Sequence, residues 1–215
     1  MLALAIATPF SLATAIFMTE ISPELGKRFV QPAVEIFVGI PSVVYGWIGL
    51  TILVPLIKNI FNLRFGFSVL AAGIVLAVMI FPTITSLAAD ALRSVPKSYR
   101  AASYGLGATS WQTIAKVVVP AAVTGLITAV ILGLARAFGE ALAVAMVIGK
   151  MRAFPSSLLA PTNNLTAAIA ADMGGAMEGS EYNIALWTMA LLLFIISLAC
   201  IFAIHFLTAK GGKQA

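Results

Sequence analysis

The sequence predicts an all-α integral membrane protein, a polytopic bundle of about five transmembrane helices. Three observations carry this. Of the 215 residues, 61% are hydrophobic and only 10% are charged. Soluble domains carry about 25% charged residues, so lipid must cover part of this apolar surface. The stretches 1–19, 36–57, 65–89, 117–135 and 182–209 contain no Lys, Arg, Asp or Glu. Each approaches or exceeds the ~20 residues that a helix needs to cross ~30 Å of hydrocarbon. Apolar runs with strand-like alternation are missing, which argues against a β-barrel. A backbone in lipid must pair its own polar groups, and that leaves helices.

The first helix is expected over 2–19, with Pro9 as a kink. It reads as a retained membrane helix and not as a signal peptide, because no basic segment precedes it and Glu20 and Glu24 follow it. An outside N-terminus that starts directly in a crossing predicts a further helix upstream of this sequence. A short inner connection over 20–31 leads to a second apolar region, 32–57, which Gly39 and Pro41 should bend. Residues 58–66 read as a short outer turn and 67–86 as the third helix, with Pro82 near its inner end. Residues 87–119 are polar and basic yet rich in helix formers. Pro96 and the Gly105–Gly107 pair divide them, so they read as short helices at the cytoplasmic surface. The fourth helix starts near Pro120. If it ran to Gly149 it would be about 45 Å long, so it should tilt or break near Gly139. An outer loop, 150–181, with a short helix at its Ala-rich centre, precedes the fifth helix, 182–207. One membrane domain, 1–215, accounts for all of this.

The net charge of +5 is a topology signal. With residue 1 outside, the inner segments hold Lys27, Arg28, Arg93, Lys97, Arg100, Lys116, Lys210 and Lys213, eight of the 13 basic residues. The outer segments hold Lys58, Arg64, Lys150 and Arg152. Basic residues mark cytoplasmic loops, so no nucleic-acid partner is implied. The single cysteine, Cys200, lies in the last apolar run and has no intrachain partner.

Enzyme constellations are mostly absent from the sequence, and an intramembrane enzyme is the third and least supported reading. His205 is the only histidine and reads as structural or interfacial. Asp90 and Asp172 fall on opposite sides of the membrane, against an intramembrane aspartyl protease. No GxxxxGK[ST] motif occurs, so the chain has no P-loop with which to hold ATP. Asn164-Leu165-Thr166 fits a glycosylation sequon, but Asn163 and Asn164 read better as a turn or cap.

Two features carry function. The first lies at 95–120. Val95-Pro96-x-x-Tyr99-Arg100 is followed by Ala101, Ala102 and Ser103, then by Gly107, Val117 and Pro120. Small residues permit a close approach, Gly107 permits a sharp turn, and Pro120 suits the first turn of the next helix. The bland alternative is an ordinary amphipathic interfacial helix. The spacing resembles the cytoplasmic EAA loop of type I ABC importer permeases. Ala101, Ala102 and Ser103 stand at the Glu-Ala-Ala places, with Gly107, Val117 and Pro120 at the Gly, Ile and Pro places. Ala101 replaces the usual glutamate, so coupling here must rest on shape more than on that carboxylate.

The second is Arg136-Ala-Phe-Gly-Glu140. A charge inside a crossing costs on the order of 3 kcal/mol, and residues i and i+4 share a helix face. Either the two form an internal ion pair, or they make a polar patch on a substrate path. The planar fork of an arginine suits an oxyanion. The stretches GIPSVVYGWIGL (39–50), ARAFGEALAVAMVIG (135–149) and LTAAIAADMGGA (165–176) resemble the C-type permease subunit of phosphate-specific importers, which normally has an additional N-terminal helix. The resemblance implies the type I importer permease fold in a bacterial inner membrane. It also implies a second, A-type permease subunit, two copies of an ATPase that binds ATP and Mg, and a periplasmic phosphate-binding protein. No cofactor is then bound by this chain itself. The alternatives are a permease for molybdate, sulfate or phosphonate and, from another class, an ion-coupled secondary transporter or a channel. Neither of the last two needs an ATPase-binding helix.

Overall fold

Four helices of the computed structural model are long and apolar enough to cross a membrane: α1 (Leu2–Ile21), α3 (Ser42–Ile60), α4 (Val69–Arg93) and α10 (Glu181–Gly211, apolar to Ile204). Residues 1–211 are described; Lys213 lies outside them. Between α1 and α3 runs α2 (23–39). After α4 come α5 (Lys97–Gly105), α6 (Ser110–Ala121) and α7 (Val123–Gly139), then the short α8 (Leu142–Val147) and α9 (Leu165–Asp172). Counted as one span, the bent pair α6–α7 makes a fifth. Among the described residues no strand forms; one isolated bridge joins Gly149 to Thr162.

The spine is α4, more than half buried, whereas α10 is almost wholly exposed. Lipid is as apolar as a leucine side chain, so membrane helices associate through close packing of small residues and interhelical hydrogen bonds. Up to Ile16 the buried residues of α1 are Ala3, Ala7, Ser11 and Ala15, one small residue every fourth position. That stripe lies against α4, where Ala77, Ile80 and Ile84 pack on Ala3 and Ala7. Ser11 Oγ donates to the Phe81 carbonyl at 3.1 Å. Nearer the inner end, Ala15 and Met18 join Ala88, Leu92, Val118 and Leu126 in a second cluster; nearer the outer end, Val75 and Met79 pack with Tyr45, Val144 and Val147.

Gly133 of α7 permits the α4–α7 contact, because a Cβ there would meet Ile84 Cγ1 at 2.4 Å. Gly133→Ala should cost about 1–3 kcal/mol by overpacking, read as a lowered unfolding temperature in detergent. Adding Ile84→Ala should recover part of the loss.

The prolines act by widening helices more than by kinking them. Turns of π-helix at Gly26–Val30, Gly49–Leu53 and Ile114–Val118 each end two residues before a proline: Pro32, Pro55 and Pro120. Proline offers no N–H and crowds the carbonyl four residues back, so the preceding turn shifts register. Pro9 and Pro82 stay inside continuous helices.

Several boundaries differ from the sequence expectation. Residues 20–31 are mostly helical, and α2 runs along α4 to the expected bend at Ile40–Pro41. The helix expected to stop at 86 continues to Arg93, helped by an Asp90–Arg93 ion pair at 3.5 Å, and ends ahead of Pro96, which disfavours helix at Val95. Pro120 does not open the next helix. It sits in the last turn of α6, and the chain bends by 68° before α7 starts at Val123. The fourth crossing is broken, as expected near Gly139: Glu140 is extended, at φ −79° and ψ 118°, and α8 resumes beyond it. The outer loop does contain a helix, α9, whose N-cap is Asn164, accepting from Ala167 N at 2.8 Å.

The two ends of the bundle carry different partners. At one, Glu20 meets Arg100 and Gln31 meets Arg93; at the other, Met1 lines one cavity with Arg152, Asn163 and Asn164. The basic-residue bias makes the first end the one expected to face the cytoplasm. In a Cys200→Ala background, an external thiol reagent should label Ser157→Cys and leave Ser110→Cys untouched. Both sites are exposed, and the opposite pattern would invert the topology.

Candidate functional site

At the end of the bundle that holds Glu20 and Arg93, α5 stands between two anchors. Pro96 precedes its first turn and Gly105 is its last residue. The return to α6 passes through Gly107 at φ +80°, the left-handed region that favours glycine. Thr109 and Gln112 then form a reciprocal capping box at the start of α6. On one side of α5, Ser103 is buried and its hydroxyl lies 2.9 Å from that of Thr113. One turn earlier on the same face, the Arg100 guanidinium meets Glu20 at 2.5 and 3.1 Å and donates to the Val95 and Leu92 carbonyls at 2.7 and 3.0 Å. The Glu20 bond pushes Arg100 above its ordinary pKa, against the opposing effect of burial.

The remaining surface of α5 faces out. Tyr99, Ala101, Ala102 and Tyr104 are exposed, and so are Leu106 and Trp111 in the next segment. Tyr99, Ala102, Ser103, Leu106 and Val117 line a shallow cleft of about 380 Å³. Of the residues in the 95–120 pattern that resembles the importer coupling loop, Tyr99, Ala101, Ala102 and Gly107 lie on the surface. Ser103 and Arg100 instead turn inward and fix the helix to the bundle. Val117 is half-buried at the cleft, and Pro120 is exposed, close to the α6–α7 bend.

Within the membrane, Arg136 and Glu140 do not pair. Among the described residues no ion pair within 4.0 Å joins them. The shared helix face predicted by their spacing is lost because α7 ends at Gly139. Arg136 Nη1 instead donates to Thr83 Oγ1 at 2.8 Å, linking α7 to the middle of α4. Glu140 closes the break: its carboxylate accepts from Ala143 N at 3.0 Å, and its carbonyl accepts from Thr166 Oγ1 at 2.8 Å. A broken helix at membrane depth is tolerated where its freed backbone groups find such partners. Both Arg136 and Glu140 are half-buried, so neither is sealed into the core.

Sequence reasoning missed Thr83 and Glu20. Thr83 had a signal, a hydroxyl directly after Pro82 in a charge-free run. Glu20 had one too, as the first charge after nineteen uncharged residues. At the outer surface Arg152 pairs with Asp172 at 3.1 Å and stacks 4.4 Å from the Tyr182 ring, while the Tyr182 hydroxyl donates to Asp172. Those bonds hold the Asp172 carboxyl below the usual carboxylate range, the Tyr182 contribution being the largest.

A family model described as "binding-protein-dependent transport system inner membrane component" matches residues 7–210. The chain belongs to that family. This membrane transport component is 55% identical over 205 residues to a "probable ABC transporter permease protein YqgH" of Bacillus subtilis (strain 168), covering 95% of this chain and 66% of the relative. It is 39% identical to a "phosphate transport system permease protein PstC" of Haemophilus influenzae, covering 91% of this chain and 68% of that protein. The chain thus spans about two thirds of the length of the curated relatives it matches. Among solved structures, an inward-facing MetNI methionine ABC transporter chain superposes with a TM-score of 0.68 at 21% identity, over 95% of this chain and 89% of that one. The fold is therefore that of an ABC importer permease, a multi-pass helical membrane protein.

Proposed function

We propose that this chain is the C-type permease subunit of an ATP-driven importer that carries inorganic phosphate across a bacterial cytoplasmic membrane. The observation that carries the reading is the joint presence, in one ABC permease fold, of an exposed cytoplasmic helix and a half-buried arginine at mid-membrane, in a chain whose relatives include phosphate permeases. On this reading residues 1–215 act as one permease domain. The α5–α6 segment, with Tyr99, Ala101, Ala102 and Gly107 at its surface, docks on a partner ATPase. That subunit binds ATP and Mg and supplies the hydrolysis. Arg136 and Glu140 lie on the route of the anion.

The remaining partners follow from the same reading: an A-type permease subunit, a periplasmic phosphate-binding protein, and lipid. The wide apolar exposure of α10 and α3 supports a helical neighbour and a lipid boundary. Alternating access requires the outer and inner ends to open in turn, and a helix broken at Glu140 gives α7 and α8 a joint about which to move.

The test is reconstitution of the chain with its companion permease, ATPase and binding protein in liposomes. Labelled phosphate should enter only with ATP, and the loaded binding protein should stimulate hydrolysis. Uptake of molybdate, sulfate or phosphonate in preference would reassign the oxyanion. Uptake driven by an ion gradient without ATP would move the chain to secondary transport.

A further inference from the structure

We infer that Arg100 and Glu20 form a lever that makes the inner end of α1 move together with α5, an inference that rests on the coupling role proposed above for α5–α6. The usual expectation for an arginine beside a docking surface is an outward contact with the partner. Here the guanidinium is turned inward, onto Glu20 and the Val95 and Leu92 carbonyls. Two nitrogens reach the two oxygens of Glu20, at 3.1 and 2.5 Å. The other bonds reach the Leu92 carbonyl in the last turn of α4 and the Val95 carbonyl two residues beyond its end, where the helix C-terminus favours a cation. The side chains are only 20% and 9% exposed. A two-nitrogen fork on a carboxylate fixes orientation as well as distance, so the joint resists rotation in a way that a single contact would not.

The place of attachment matters. Glu20 lies in the π-turn Phe17–Ile21, one residue before that turn ends, and the helix stops at Ser22, at φ −139° and ψ 74°. The lever therefore grips α1 on the membrane side of a break in the helix. A displacement of α5 is passed to α1 ahead of that break. One turn further along the same face of α5, the Ser103–Thr113 contact ties the same helix to α6, and through the 68° bend to α7, which bears Arg136. One rigid element thus holds two arms, and the Arg100–Glu20 arm is the one that ends on α1, the helix whose small-residue face packs along α4.

The test uses the assembled complex. Spin labels at Ile21→Cys and Ser98→Cys, both exposed, in a Cys200→Ala background, report the α1–α5 separation in nucleotide-free and vanadate-trapped states. A lever keeps that separation the same in both states. Glu20→Gln should make it broaden and change with nucleotide. The same variant should continue to assemble and hydrolyse ATP while the phosphate imported per ATP falls about tenfold, the scale of losing one charge-assisted bond. Arg100→Lys, which keeps the charge without the fork, should fall between the two. A separation that already changes with nucleotide before the substitution would overturn the lever. So would uptake and hydrolysis in Glu20→Gln that fall together with assembly. Failure to import phosphate by the unsubstituted complex would reject the substrate reading alone, because the spin-label distances do not depend on the transported anion.

Discussion

Gly107→Val is expected to abolish ATP-coupled uptake while leaving the chain inserted at normal levels. The reason is backbone conformation and not space. Gly107 holds φ +80° at the turn between α5 and α6, yet a Cβ there would meet no atom within 4 Å. A β-branched residue in the left-handed region costs roughly 1–2 kcal/mol or more, and the cheapest relief is for the turn to relax. That turn holds the Gly107 N–H on the Tyr104 carbonyl at 2.9 Å and the Ala108 N–H on the Ser103 carbonyl at 3.2 Å. Its relaxation would re-aim α5 relative to α6 and spread the exposed Tyr99, Tyr104, Leu106 and Trp111. The control is Gly107→Asn, because asparagine tolerates the left-handed region far better than valine. Asparagine should retain most of the uptake and most of the ATPase that co-purifies, and valine should lose both. Equal loss in the two variants would point to the surface itself, and equal retention would remove the turn from the coupling argument.

Much of this arrangement was legible because the relevant physics is local or set by the bilayer. Charge-free runs gave the crossings, since lipid forbids unpaired charge whatever the tertiary fold. Gly107 and Pro96 gave the ends of α5 through backbone sterics alone, and Asn164 gave the α9 cap through its side chain. What failed was long-range. Arg136 and Glu140 were legible as neighbours on a helix, but a helix face exists only while the helix lasts, and α7 ends at Gly139. Whether it ends there depends on Thr166, twenty-six residues on, meeting the freed carbonyl. The placing of Pro120 failed for a similar reason. A proline favours a helix start, yet the π-turn at Ile114–Val118 absorbed it and moved the start of α7 three residues on. Arg100 was placed on the docking surface by its position in a motif; only the packing of α1 against α4 brings Glu20 across to claim it.

Arg136→Gln should reduce phosphate uptake about a hundredfold, the scale of losing two charge-assisted hydrogen bonds to an anion, while complex assembly survives. Arg136→Lys should recover only part of it, since a point charge does not reproduce the bidentate fork. The absence of an Arg136–Glu140 ion pair among the described residues sharpens this. Were the two charges buried partners, removing one would strand the other, and removing both would relieve the penalty. The Arg136→Gln, Glu140→Gln double variant would then transport. In this structure the guanidinium rests on Thr83, a neutral acceptor, and the Glu140 carboxylate occupies the Ala143 N–H. Neither charge needs the other, so the double variant should be as inactive as Arg136→Gln. Thr83→Val should give a smaller defect, because it frees the guanidinium to wander without removing its charge, and Thr83→Ser should be close to normal. Labelled phosphate uptake at matched membrane expression, across the two single charge variants and the double, decides the question. Near-normal uptake by the double variant would leave Arg136 as half of a structural pair and take it off the anion's route.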